Sequence, residues 1–105
     1  MTETRLTQLL QYFKDDPNDP FNIYALALEY LKTDVTKSKE FFDLLLLNHE
    51  DYVPAYYHAA KLYQSLDEKE KAIALYEKGI NIAKKHKEHK ALRELQSAHD
   101  ELIFE

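Results

Sequence analysis

The sequence predicts an all-α fold, an antiparallel helix-pair solenoid of about six helices, on three observations. Apolar residues recur at helical spacing along the whole chain, and no alternating strand pattern competes. Proline and aspartate cluster in short breaks between the periodic stretches, so consecutive helices have short connections and lie antiparallel. The chain also repeats itself. Tyr30 recurs as Tyr63 after 33 residues, and Ser38, Phe42 and Leu46 recur as Ala72, Tyr76 and Ile80 after 34. A fixed period of that length marks stacked helix pairs, which usually bind other proteins.

Each element follows from local chemistry. Leu6, Leu9, Leu10 and Phe13 fall at i, i+3, i+4 and i+7, giving a first helix with one apolar stripe. The run Asp15-Asp16-Pro17-Asn18-Asp19-Pro20 ends it, because proline lacks an N–H and disfavours helix in the residue before it. Asp19 is a natural N-cap and Pro20 suits the first position of a second helix, about 20–32. That helix carries Phe21, Ile23, Tyr24, Leu26, Ala27, Leu28, Tyr30 and Leu31, apolar on more than one side, as expected of a helix between two neighbours.

Asp34 caps a third helix with Phe41, Phe42, Leu45 and Leu46. A polar link from Asn48 to Tyr52 leads to Val53-Pro54, which opens a fourth helix reaching about Ser65. Asp67 and Glu70 are spaced as a capping box for a fifth helix running to about Lys85. A last helix, about 88–103, places Ala91, Leu92, Leu95, Ala98 and Leu102 on one side.

The second repeat resembles a tetratricopeptide repeat, whose pattern runs W-x2-L-G-x2-Y, then A-x3-F and a closing P. Tyr56, Ala59, Ala60 and Tyr63 stand at the first four positions, Ala72 at the alanine, Tyr76 at the phenylalanine and Gly79 at the next small position. The first repeat matches more loosely through Ile23, Leu26, Ala27, Tyr30, Ser38 and Phe42. Small residues at Ala27, Ala60, Ala72 and Gly79 let paired helices approach closely, while Tyr30, Phe42, Tyr63 and Tyr76 fill the space between pairs. Lys84 and Glu50 replace the closing proline, and Thr33 and Leu66 precede turns where the family often has glycine. Continuing the repeat past Lys87 puts Lys90 and Arg93 at apolar positions, so the last helix reads as a cap whose other face, Arg93, Glu94, Asp100 and Glu101, meets water. The expected organisation is a single domain, 1–105, comprising a leading half-repeat helix (1–19), repeat 1 (20–52), repeat 2 (53–86) and a capping helix (87–105).

Composition excludes several functions. The chain has no cysteine, hence no disulfide frame, thiol nucleophile or thiolate metal site. Its one glycine, Gly79, rules out the usual glycine-rich phosphate loop. The net charge of −5 resides in residues 1–52, with ten acids and five bases, whereas residues 53–105 carry nine of each. An acidic balance argues against general nucleic-acid binding. The basic run Lys84-Lys85-His86-Lys87 reads as a helix C-terminus favoured by the helix dipole. Met1 to Leu10 lacks the apolar run of a signal peptide, and no stretch approaches the ~20 apolar residues of a membrane span. A cytoplasmic location without a membrane role is expected.

No constellation supports catalysis, and the expectation is a chain without enzyme activity, cofactor or metal. His86 and His89 straddle a helix break and His99 lies ten residues on, so they read as solvated surface histidines rather than a zinc site. Asp15, Asp16 and Asp19 lack the glycine turn and distal glutamate of a calcium loop. Ser38, Ser65 and Ser97 have no strained elbow around them.

The resemblance implies a concave groove, lined by the first helix of each pair, that receives peptides or helices. Its positions here are Tyr24, Ala25, Leu28, Leu31 and Lys32, then Tyr57, His58, Lys61, Gln64 and Ser65. An aromatic beside a cation suits a peptide with an apolar anchor and an acidic group. Tyr24 and Leu28 have two available settings, in the groove or buried under the first helix. Chaperone-tail receptors of this family use a Lys/Asn/Asn/Lys/Arg clamp across three repeats. Tyr24 stands at its first lysine, Leu28 and His58 stand at its asparagines, and a third repeat is missing. A chaperone-tail receptor is therefore not expected, and the expected function is protein–protein interaction, with a partner peptide or helix held in the concave groove. The alternative is a self-associating scaffold, a homodimer or larger oligomer formed through exposed stack ends.

Overall fold

The computed structural model describes residues 4–105, which form six α-helices and no strand. The first three positions of the expected half-repeat 1–19 lie outside the described residues. The chain divides into two compact units, 1–50 and 51–105.

The first unit holds α1 (Arg5–Asp15), α2 (Pro20–Tyr30) and α3 (Val35–Asn48). Thr4 caps α1 by accepting from the Thr7 N–H at 3.1 Å. The Asp19 carboxylate accepts from the Phe21 N–H at 2.9 Å, and Pro20 occupies the first turn of α2. Asn22 Nδ2 donates to the carbonyls of Tyr12 and Asp16 at 3.2 and 3.3 Å, tying the start of α2 to the end of α1. The Asp34 carboxylate accepts from Lys37 N at 3.1 Å and opens α3.

Helix α2 packs against both α1 and α3, which is why it is apolar on two sides. Leu9, Ala25, Leu26 and Tyr30 form a buried cluster, with Leu6, Phe13 and Phe41 packed around it. Phe41 meets Phe13 edge-on at 5.4 Å and stacks on Tyr30 at 5.7 Å. Leu10 departs from the expected stripe and is exposed, because α1 packs on one neighbour within its unit and buries only a narrow seam. Ser38, fully buried, donates to the Ala27 carbonyl at 2.6 Å, so a hydroxyl joins α3 to α2 where the second repeat has Ala72.

The second unit holds α4 (Pro54–Ser65), α5 (Lys69–Lys85) and α6 (His89–Ile103), with α5 packed on both others and α4 also touching α6. Tyr56, Ala59, Ala60, Tyr63, Ala72, Tyr76 and Ala83 are inaccessible to solvent. Gly79 sets the helix spacing. A Cβ built there would lie 2.6 Å from Tyr56 Cβ and 3.3 Å from Leu95 Cδ1, so Tyr56 of α4 and Leu95 of α6 meet α5 at one level.

The expected capping box at Asp67 and Glu70 does not form. Asp67 adopts φ 62, and the N-cap position falls on Glu68 with no side-chain bond. Asp67 is used to end α4 instead: its N–H reaches the Gln64 carbonyl at 3.1 Å, and the Glu68 N–H reaches that of Tyr63 at 3.0 Å. That is a Schellman ending with a left-handed residue where glycine is usual. The end of α5 repeats it with Lys87 at φ 57, Glu88 N bonding Ala83 O at 2.9 Å and Lys87 N bonding Lys84 O at 3.1 Å.

His99 also differs from expectation. Its side chain is only 17% exposed, and Nε2 lies 3.2 Å from Glu77 Oε2, linking α6 to α5. His86 lies 3.6 Å from Asp51 and is exposed. Among the described residues no three His, Asp or Glu side chains gather as a metal site, and no helix is long and apolar enough to cross a membrane.

Candidate functional site

A cleft of about 500 Å³ in the second unit is lined by Tyr57, His58 and Lys61 of α4 and by Arg93, Glu94, Ser97, Ala98 and Glu101 of α6. The inward positions Tyr56, Ala59, Ala60 and Tyr63 are buried, which turns Tyr57, His58 and Lys61 toward the opening. Leu95, Ala98 and Leu102 seat α6, leaving Arg93, Glu94 and Glu101 at the rim.

Both α4 and α6 are antiparallel to α5 and so run the same way. Because Tyr56 and Leu95 share a level at Gly79, Lys61, five residues on, faces Glu101, six residues on, at one end of the cleft. Arg93 and Glu94 stand at the other end. Among the described residues Lys61 and Glu101 make no ion pair. The Lys61 ammonium instead lies 5.7 Å from the centre of the Tyr57 ring, whose plane meets the His58 ring edge-on at 5.5 Å.

The cleft is close to electroneutral. Burial pushes the His58 imidazole below its ordinary 6.5, with Glu94 pulling it back, so His58 is neutral at pH 7. Two cations, Lys61 and Arg93, then balance two anions, Glu94 and Glu101. Tyr76 lies inaccessible on α5, its hydroxyl without a hydrogen-bond partner among the described residues. Burial, then Tyr57 and Glu101, push its pKa up to about 12, so it stays a phenol. Gln64 Oε1 is likewise buried without a partner among the described residues. Ser97 shares the cleft with His58 and Glu94.

The first unit has its own cleft of about 370 Å³, lined by Arg5 of α1, by Phe21, Tyr24, Ala25, Leu28 and Glu29 of α2, and by Lys32 beyond it. Tyr24 and Leu28 are half-buried, so they combine the two settings available to them: partly covered, yet lining an opening. Leu31, half-buried at the end of α2, and Gln64 line neither cleft.

The α6 wall was not visible as a site in the sequence. Arg93, Glu94 and Glu101 read as the wet face of a capping helix, and they are exposed. Their proximity to α4 depends on how closely α5 lets the two helices approach, a tertiary fact recorded in Gly79 rather than in α6.

A family model for the tetratricopeptide repeat matches residues 53–86. No curated protein matches the chain. A solution NMR structure of a tetratricopeptide repeat domain protein from Salinibacter ruber is similar at TM-score 0.79 and 43% identity, covering 83% of this chain and 89% of that one. A crystal structure of a tetratricopeptide repeat domain protein from the same organism gives TM-score 0.78 and 41% identity, covering 81% and 97%. Domains of this kind generally mediate protein–protein interactions and are generally not enzymes. With a six-helix repeat fold and this degree of identity over most of its length, the chain belongs to the tetratricopeptide repeat family.

Proposed function

We propose that the α4–α6 cleft binds a segment of a partner protein and that the chain acts as an interaction module without catalysis. The observation that carries this reading is the convergence of Tyr57, His58 and Lys61 with Arg93, Glu94 and Glu101 on one opening. A half-buried aromatic beside a neutral imidazole offers an anchor site for an apolar or aromatic side chain. The facing Lys61 and Glu101 supply a donor and an acceptor across the opening, suited to a peptide amide lying between them. On α2, Tyr24 and Leu28 line the first unit's own cleft.

A balanced cleft disfavours a strongly acidic tail, since Glu94 and Glu101 would repel it at about the strength with which Lys61 and Arg93 attract it. Affinity capture with crosslinking tests the assignment. Tyr57→Ala and Lys61→Glu are each expected to lose the captured partner while retaining native helicity by circular dichroism. Undiminished capture by both folded variants overturns it.

A further inference from the structure

The first unit's cleft carries a charge imbalance. The Glu29 carboxylate is shared by two cations, with Arg5 Nε at 3.4 Å and Lys32 Nζ at 3.2 Å. One positive charge therefore remains at the rim, in the half of the chain that is otherwise acidic. Apart from these charges the lining is apolar: Tyr24 and Leu28 are half-buried, and Phe21 is 58% exposed. Such a cleft is complementary to an apolar side chain followed closely by a carboxylate.

The chain itself presents that combination. Phe104 is 82% exposed at the end of α6, beside the partly exposed Ile103, and Glu105 follows directly. Consecutive Cα atoms lie about 3.8 Å apart, so an aromatic anchor and its neighbouring carboxylate can reach the floor and the rim of one small cleft together.

We propose that the α1–α2 cleft of one copy receives Phe104 of a second copy, with Glu105 pairing to Arg5 and Lys32. The contact is heterologous: each copy offers both a cleft and an anchor, so the assembly grows with concentration unless its rotation closes a ring. A single aromatic anchor makes the association weak, and the like net charges of the two copies oppose it further. This site is independent of the α4–α6 cleft, so a Tyr57→Ala chain self-associates as the native chain does.

Sedimentation velocity over a wide concentration series tests the proposal. The weight-average mass of the native chain is expected to rise above the 12.4 kDa monomer. Phe104→Ser and Phe21→Ser, both at exposed positions, are each expected to remain monomeric with unchanged circular dichroism. Mixing these two variants is the decisive arm. One retains the cleft and the other the anchor, so the mixture forms a heterodimer that cannot extend. A native chain that stays monomeric throughout, self-association that survives both substitutions, or a mixture without heterodimer overturns the proposal. A monomer whose α1–α2 cleft binds a synthetic apolar-acidic peptide also overturns it and assigns the cleft to a foreign partner.

Discussion

Gly79→Ala sets two well-known effects against each other at one position. Alanine in a helix interior is favoured over glycine by about 1 kcal/mol, so propensity alone predicts a more stable protein. Packing predicts the reverse. The new Cβ would sit 2.6 Å from Tyr56 Cβ and 2.9 Å from Tyr56 Cγ, atoms fixed close to the backbone of α4 and unable to swing aside. Restoring ordinary carbon–carbon contact, about 3.5–4.0 Å, requires α5 to withdraw by about 1 Å, and a gap of that size forfeits a quarter to a half of each dispersion contact across the interface. Overpacking of this kind costs about 1–3 kcal/mol, and the crowding of Tyr56 and Leu95 together places Gly79 at the upper end.

The net expectation is a loss of about 2 kcal/mol, or a fall in Tm of about 8–16 °C for a domain of this size. Thermal melts followed by circular dichroism measure it. Ala74→Gly, on the exposed face of the same helix, calibrates the propensity effect and is expected to cost about 1 kcal/mol. If Gly79→Ala melts at or above the native temperature, α4 and α5 do not approach as described, and the level shared by Tyr56 and Leu95 loses its basis.

Other expectations follow from single atoms. Tyr76→Phe removes a buried hydroxyl without a partner among the described residues, so stability should be unchanged or raised by up to about 1 kcal/mol in urea unfolding. A loss of that size would show the hydroxyl to be bonded in solution. Lys87→Gly relieves a left-handed non-glycine residue and should stabilise by about 0.5–1 kcal/mol, with the entropy of a freer unfolded glycine offsetting the remainder. Unchanged urea midpoints would contradict that geometry. His58 gives a pH dependence. Its folded pKa lies below 6.5, so in the window below 6.5 the unfolded chain binds a proton that the folded chain refuses, and stability falls as pH falls. His58→Gln should therefore lose less stability than the native chain between about pH 7.5 and pH 5.5, and equal losses would contradict it.

Local chemistry made much of the fold readable. Asp19 with Pro20, and Asp34, announce helix starts because a short carboxylate can satisfy the first free N–H groups whatever lies further away. Asp67 misled for a related reason. Aspartate serves both as an N-cap and as a left-handed helix terminator, and the connection between α4 and α5 is so short that, with Asp67 ending one helix, the N-cap of the next falls on Glu68, whose side chain makes no capping bond. Leu10 and His99 escaped because periodicity gives the face of a helix but not the width of its contact or the side chain opposite. The α4 half of the cleft was legible as residues that break the repeat, Tyr57, His58 and Lys61. The α6 half was not, because Arg93, Glu94 and Glu101 become walls only when α4 stands nearby.

A partner segment is proposed to lie in the opening between α4 and α6. Site-specific photocrosslinking tests it most directly, with a photoreactive side chain placed at Ser97 inside the cleft and, as control, at the exposed Lys84 on α5. A covalent adduct to one partner from position 97, absent from position 84 and lost on adding Tyr57→Ala, is the predicted result. Equal adducts from both positions, or an adduct from position 97 that Tyr57→Ala leaves intact, would contradict it.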